Sequence, residues 1–273
     1  MFSTLFGTKP PLDEASIQWI FETFSWALRN LSAENFCQST VLVTPTNEHF
    51  PGRASSVHDM ASLMFARTLD YAGMSHWPIH LMAPGSPAPN QPLRIAPPIV
   101  LRGNTPDSIP TPEPNCSIPV AYDPKLVNNP EAMIAGFAQV LAHYLGSAVR
   151  SEPPGGIPNW PQTTEILGVF LGFGVLFANT AFNYRPSACG SCGGPPAERQ
   201  VFLSQFDITY ALALFCALKK LPTNQLTPHL KRSLRGYFKQ CRRDVERRTE
   251  ALQPLLACES GQRSPVSKHK RPS

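Results

Sequence analysis

Between Leu12 and Leu31 the apolar residues Ile17, Ile20, Phe21, Phe24, Leu28 and Leu31 recur every three or four positions, the spacing of one face of a helix. Pro10-Pro11-Leu12-Asp13 supplies its start. The β-branched run TVLVT, Thr40 to Thr44, predicts a short strand running into Pro45. Ser55 and Ser56 then cap a second helix that reaches Ala72. Val57, Met60, Ala61, Met64 and Thr68 lie on one side of it, and Gly73 is its stop. Beyond it, Trp77–Met82, Leu93–Arg102 and Ser117–Tyr122 read as short strands between proline-rich connectors. Proline cannot donate to a sheet ladder, so these runs are expected at edges or as extended loops.

The helical period returns at Asn129-Pro130-Glu131, a capping side chain, a proline at the first position and an acid in the first turn. This helix is expected from Glu131 to about Ala148. A loop rich in proline and glycine, 152–161, leads to an apolar helix over Thr163–Phe182. Ile208–Leu221 predicts another apolar helix, and Pro228–Glu250 an amphipathic, charged one. Residues 251–273 are expected to form a disordered basic tail. The run Ile166–Phe182 has 17 residues without a charge. That is short for a membrane span and includes Asn179 and Thr180, so a buried core helix is expected and no membrane partner. The pattern predicts an α+β chain, mostly helical, with a small proline-rich sheet before the Asn129 helix. Residues 1–250 make one domain, with 12–128 as its helices and strands and 129–250 as its helical part.

Composition sharpens this in two places. Proline supplies 30 of 273 residues, about twice the usual share, and 14 of them fall between Pro78 and Pro130. An all-helical bundle is excluded for that stretch, and the 17 glycines show no collagen period. The formal charge of +5 conceals an asymmetry: from His229 onward there are 12 Lys/Arg against 4 Asp/Glu, leaving 12 against 15 before it. Basicity therefore belongs to the C-terminal part. Seven cysteines show no framework spacing, and Met1–Pro11 contains no apolar signal region. Reduced thiols and a cytoplasmic location are the expectation.

Candidate chemistry centres on NPEAMIAGFAQVLAHYLG, residues 129–146. Met133, Phe137, Val140, Leu141 and Tyr144 form an apolar stripe, while Gly136, Gln139, His143 and Ser147 lie on the other side. Gln139 and His143 are one turn apart and point the same way, the spacing by which a helix offers two side chains to one metal ion. Glu165 follows 22 residues after His143, at the start of the next helix. The plainer reading of the pair is a hydrogen bond from His143 to Glu165 across two packed helices.

Residues 129–182 resemble a family of bacterial zincin-like proteins. In that family a helix of the form NPE..IA.FAHELAHYLL precedes E...D.L.VFLGFG.F.AN.AF. The corresponding segments here are NPEAMIAGFAQVLAHYLG and PQTTEILGVFLGFGVLFANTAF. The similarity extends more loosely to VLVTPTNEHFP (41–51) and YALALFCALKK (210–220). It implies a zincin-like fold in which the prolines of 78–130 frame the rim of a cleft. It also implies an inactive one, because the HExxH signature is replaced by Gln139-Val140-Leu141-Ala142-His143. The first ligand histidine has become Gln139, a poor zinc ligand beside imidazole. The catalytic glutamate has become Val140, which cannot take a proton from metal-bound water. Of the implied metal ligands only His143 and Glu165 persist. Glu165 occupies the family's aspartate position, and Pro161 its preceding glutamate position. Nothing in the sequence brings His49, His58, His76 or His80 to Gln139.

Cys189-Gly-Ser-Cys192 has the spacing of half a zinc knuckle, with no second pair to close it. Two free thiols in a flexible loop are expected; a loop disulfide and half of a dimeric metal site stay open. Lys231, Arg232, Arg235, Lys239, Arg242, Arg243, Arg247 and Arg248 give the Pro228–Glu250 helix a basic surface. No aromatic residues are interleaved on that side, so nucleic acid is not the expected partner. Three readings follow, in order. The first is a catalytically inactive, pseudo-peptidase zincin-like protein with a binding or structural role, a protein partner and no cofactor. The second is a divergent metal-dependent hydrolase using His143 and Glu165, with zinc as the cofactor. The third is a basic-tailed interaction protein that binds nucleic acid or an acidic partner.

Overall fold

The computed structural model of the chain describes residues 10–86, 100–103, 117–181 and 201–259. Helix α1 (Glu14–Asn30) is capped by Asp13, whose carboxylate accepts from the backbone N–H of Ser16 at 2.9 Å. A short α2 (Ala33–Gln38) follows. Helix α3 (Val57–Ala72) is capped by Ser56 and stopped by Gly73 in the left-handed conformation at φ 70°, where glycine carries no steric penalty. Strands β1 (Ile79–Leu81) and β2 (Ile118–Val120) pair in parallel, with Ile79 opposite Ile118 and Leu81 opposite Val120. Among the described residues each is an edge strand, which is how the ladder tolerates Pro119.

The remaining helices form the body: α4 (Pro130–Ser147), α5 (Trp160–Gly168), α6 (Gly174–Thr180), α7 (Gln205–Leu218), α8 (Thr223–Leu226), α9 (Arg232–Arg247) and α10 (Thr249–Glu259). Helices α4, α5, α6 and α7 pack on one another at the centre, with α3 against α4, α9 against α7, and α1 against α5 and α10. Phe170 joins the layers. Its ring stacks on Phe36 at 4.6 Å and meets Phe24 edge-on at 5.9 Å, while Phe36 meets Phe215 at 5.6 Å. Each of these rings is fully buried and contributes about 2–3 kcal/mol by burial alone. The architecture is thus α+β and mostly helical, with a small two-stranded sheet.

Four expectations need correcting. The apolar helix expected over Thr163–Phe182 begins at Trp160 and is broken by a π-helical turn, Val169–Phe173. Gly172 sits there at φ 101°, a conformation that side-chain-bearing residues rarely adopt. A Cβ on Gly172 would collide with the carbonyl oxygen of Val41. The same break explains the second correction: Thr40–Thr44 joins no sheet. It lies extended against the broken helix, and the Val43 N–H donates to the Gly172 carbonyl at 2.9 Å.

Third, of the strand expected over Leu93–Arg102, residues 100–102 are not in a strand, and 93–99 lie outside the described residues. Arg102 is buried instead, donating to the Ala72 carbonyl at 3.0 Å and to Thr40 Oγ1 at 2.9 Å. Its guanidinium lies 5.5 Å from the centre of the Phe170 ring. Fourth, residues 251–259 are helical, where a disordered tail was expected. Leu252 and Leu255 are buried, and α10 docks on α1 and α9. Residues 260–273 and the Cys189/Cys192 loop lie outside the described residues. The stretch Ile157–Thr180 is long and apolar enough to cross a membrane, and its residues 163–180 are all buried inside the fold.

Candidate functional site

Helix α4 begins as its sequence dictates: the Asn129 side chain accepts from the Ala132 N–H at 3.3 Å, and Pro130 opens the first turn. From Met133 to Gly146 it is buried nearly all round. Gln139 is half-buried, and His143 and Ser147 are exposed, so these three form its one outward row. Val140 faces the core at 8% exposure.

His143 is paired with a residue that the sequence pattern did not single out. The Trp160 indole N–H donates to His143 Nδ1 at 3.1 Å, and the two rings meet nearly edge-on at 5.8 Å. An indole nitrogen only donates, so Nδ1 is the acceptor and the neutral ring carries its proton on Nε2. Partial burial lowers the His143 pKa, and protonating Nδ1 would break the indole hydrogen bond. Gly146 allows the approach: a Cβ there would lie 2.6 Å from Trp160 Cη2 and 2.7 Å from Leu167 Cδ1. A glycine one residue short of the helix end, followed by a tryptophan opening the next helix, is the signal that could have revealed this contact.

Glu165 is elsewhere engaged. It is fully buried, and its Oε2 accepts from the backbone N–H groups of Phe202 at 3.0 Å and Leu203 at 2.6 Å. A carboxylate held by two amides is a strong, charge-assisted arrangement. It fastens the segment entering α7, whose own start is a capping box between Ser204 and Asp207. The expected His143–Glu165 hydrogen bond is therefore absent. Its two members have separate partners, an indole for the histidine and a backbone turn for the acid.

The upstream histidines are also engaged away from α4's outward row. His49 Nδ1 lies 2.9 Å from Thr44 Oγ1, His58 Nδ1 3.1 Å from the Tyr122 hydroxyl, and His80 Nδ1 2.6 Å from Ser117 Oγ. His76 Nε2 is 2.6 Å from the Val100 carbonyl, which requires that nitrogen to donate. Among the described residues no three His, Cys, Asp or Glu side chains are grouped to hold a metal ion. Cys216 and Cys241 are buried in α7 and α9, and burial pushes each thiol up to about 12, far from the thiolate a metal requires. No protein-family model, curated protein or solved structure matches this chain.

Proposed function

We propose that the chain is a zincin-like protein without peptidase chemistry, acting as a cytoplasmic binding module for a protein partner. One observation carries this reading: both surviving ligand positions are bound to their own protein. Glu165 is enclosed and committed to the Phe202 and Leu203 amides, while His143 Nδ1 is committed to Trp160. Hydrolysis through a metal would need these two groups to face one ion, together with a base in place of Val140. What α4 and α5 offer outward is a mixed surface. Gln139, His143 and Ser147 line it, beside Trp160 and the 69%-exposed Ile157. An exposed apolar residue together with polar side chains suits a protein contact.

The test is metal content. Wild-type protein and His143→Ala, purified without chelator and then dialysed against sub-micromolar zinc, are both expected to hold well below one zinc per chain. Stoichiometric zinc in the wild type that disappears in His143→Ala overturns the proposal in favour of a divergent metal-dependent hydrolase.

A further inference from the structure

Helix α9 carries a feature that packing does not explain. Arg232, Arg235, Lys239 and Arg243 follow one another at spacings of three, four and four residues, and all are exposed. That spacing places them in one row on the solvent face. At 1.5 Å of rise per residue the row is about 16 Å long. The opposite face, Leu234, Phe238, Cys241 and Val245, is buried, with α7 packed against the helix.

Among the described residues no carboxylate pairs with Arg232, Lys239 or Arg243. Arg235 is tied by its guanidinium to the carbonyls of Leu230 at 3.0 Å and Pro228 at 3.0 Å, which orients it without neutralising it. Glu246, further along, is held by Arg242 at 2.6 Å.

Two details run against a merely stabilising role. The first turn contains Arg232 and Arg235, follows Lys231, and has no acid. Cations at a helix N-terminus oppose the macrodipole, so the helix bears these charges at a cost. Gly236 lies between Arg232 and Lys239 on the same face, and a Cβ there would meet nothing within 4 Å. Glycine weakens a helix interior, and here no neighbour requires it. It leaves a bare stretch of backbone ringed by cations, where a ligand can approach closely.

We propose that this row binds the phosphodiester backbone of duplex nucleic acid, without reading sequence. A duplex carries one charge per about 1.7 Å of axis, so the row faces about ten phosphate charges. Arginine, three of the four cations, suits phosphate through paired N–H donors. The lack of exposed aromatic residues on this face excludes base stacking, the single-strand mode, and leaves phosphate contact untouched. Of the aromatics on α9, Phe238 is buried, and the half-buried Tyr237 is engaged by Phe206 at 4.9 Å and by its hydroxyl donating to the Pro11 carbonyl at 3.1 Å. A bilayer is disfavoured because the apolar face that would insert is already packed in the core. An acidic protein is disfavoured because only Ser233, Gly236 and Gln240 lie among the cations, with no apolar centre for an interface.

The experiment is fluorescence anisotropy of the full chain against a labelled 20-base-pair DNA duplex over 50–300 mM salt, with two duplex sequences. Phosphatidylserine vesicles and poly-glutamate serve as competitors. Four phosphate contacts predict a log–log salt slope of about −3.6, equal for both sequences. The triple variant Arg232→Gln, Lys239→Gln, Arg243→Gln is expected to lose at least tenfold in affinity at 100 mM salt. Its slope should flatten by about 2.7. Lys239→Gln alone should flatten it by about 0.9, which keeps the test usable if the triple variant unfolds. Lys125→Gln, on another element, is the control expected to change nothing. Failure to bind duplex at 50 mM salt overturns the proposal. So does an unchanged slope in the Lys239 variant, or preferential capture by vesicles or poly-glutamate.

Discussion

If Glu165 is an anchor for backbone, removing it must cost stability whether or not metal is present. In Glu165→Ala the part-buried Phe202 and Leu203 amides lose the buried carboxylate that accepts from them. A hydrogen bond to a charged group contributes about 1.5–3 kcal/mol, and a buried donor left unsatisfied costs about 1–3 kcal/mol. The two amides share one carboxylate oxygen and water reaches part of the vacated volume, so the effects overlap and a loss of about 3–5 kcal/mol is expected. Glu165→Gln keeps a carbonyl acceptor of the same reach and should lose about 1–2 kcal/mol. For a chain of this size the alanine variant should melt roughly 6–15 °C lower. Urea denaturation monitored by circular dichroism measures the loss. Amide exchange at Phe202 and Leu203, faster in the alanine variant and near wild type in the glutamine one, localises it. A loss below about 1 kcal/mol, or equal losses in both variants, would show that the carboxylate does not hold this turn.

At the break in the central helix, Gly172→Ala combines an unfavourable φ with a collision against Val41. It should destabilise the fold by about 3 kcal/mol or more, read by the same denaturation assay, whereas an unchanged midpoint would remove the reason for glycine there. His143 has a lower pKa folded than unfolded. The unfolded chain therefore takes up its proton first as pH falls, and this residue lowers stability progressively below the unfolded value of about 6.5. Trp160→Phe removes the indole donor, so the His143 titration followed by NMR should move up toward that unfolded value. A titration left where it was would sever the link between the two rings.

What could be read in advance was local. Asn129-Pro130 opening α4, Ser56 and Gly73 bounding α3, and the inward stripe of α1 are each set by residues within a turn of one another. What could not be read depended on partners far along the chain. The VFLGFG run is apolar throughout, so hydrophobic period alone predicts one unbroken helix. The break at Gly172 is fixed by Val41 and Val43, about 130 residues earlier in the sequence. Glu165 carries no mark distinguishing a metal ligand from an anchor, because its acceptors' partners are main-chain amides that any residue provides. Leu252 and Leu255 were hidden by Pro254, which reads as a helix breaker until α1 supplies the surface they cover. The outward row of Gln139 and His143 was legible as a row; its pairing with Trp160 required the packing of α5.

The contact between α1 and α10 brings the first and last described helices together. Arg248 grips both carboxylate oxygens of Glu14, at 2.7 and 2.8 Å, and reaches Asp244 at 2.7 Å. Asp244 in turn accepts from the buried Tyr210 at 2.6 Å. On the ribosome α1 therefore emerges more than two hundred residues before the helix that closes over it. The part of its apolar flank that α10 covers stays bare until that helix is made, a state in which exposed surface invites aggregation or chaperone capture.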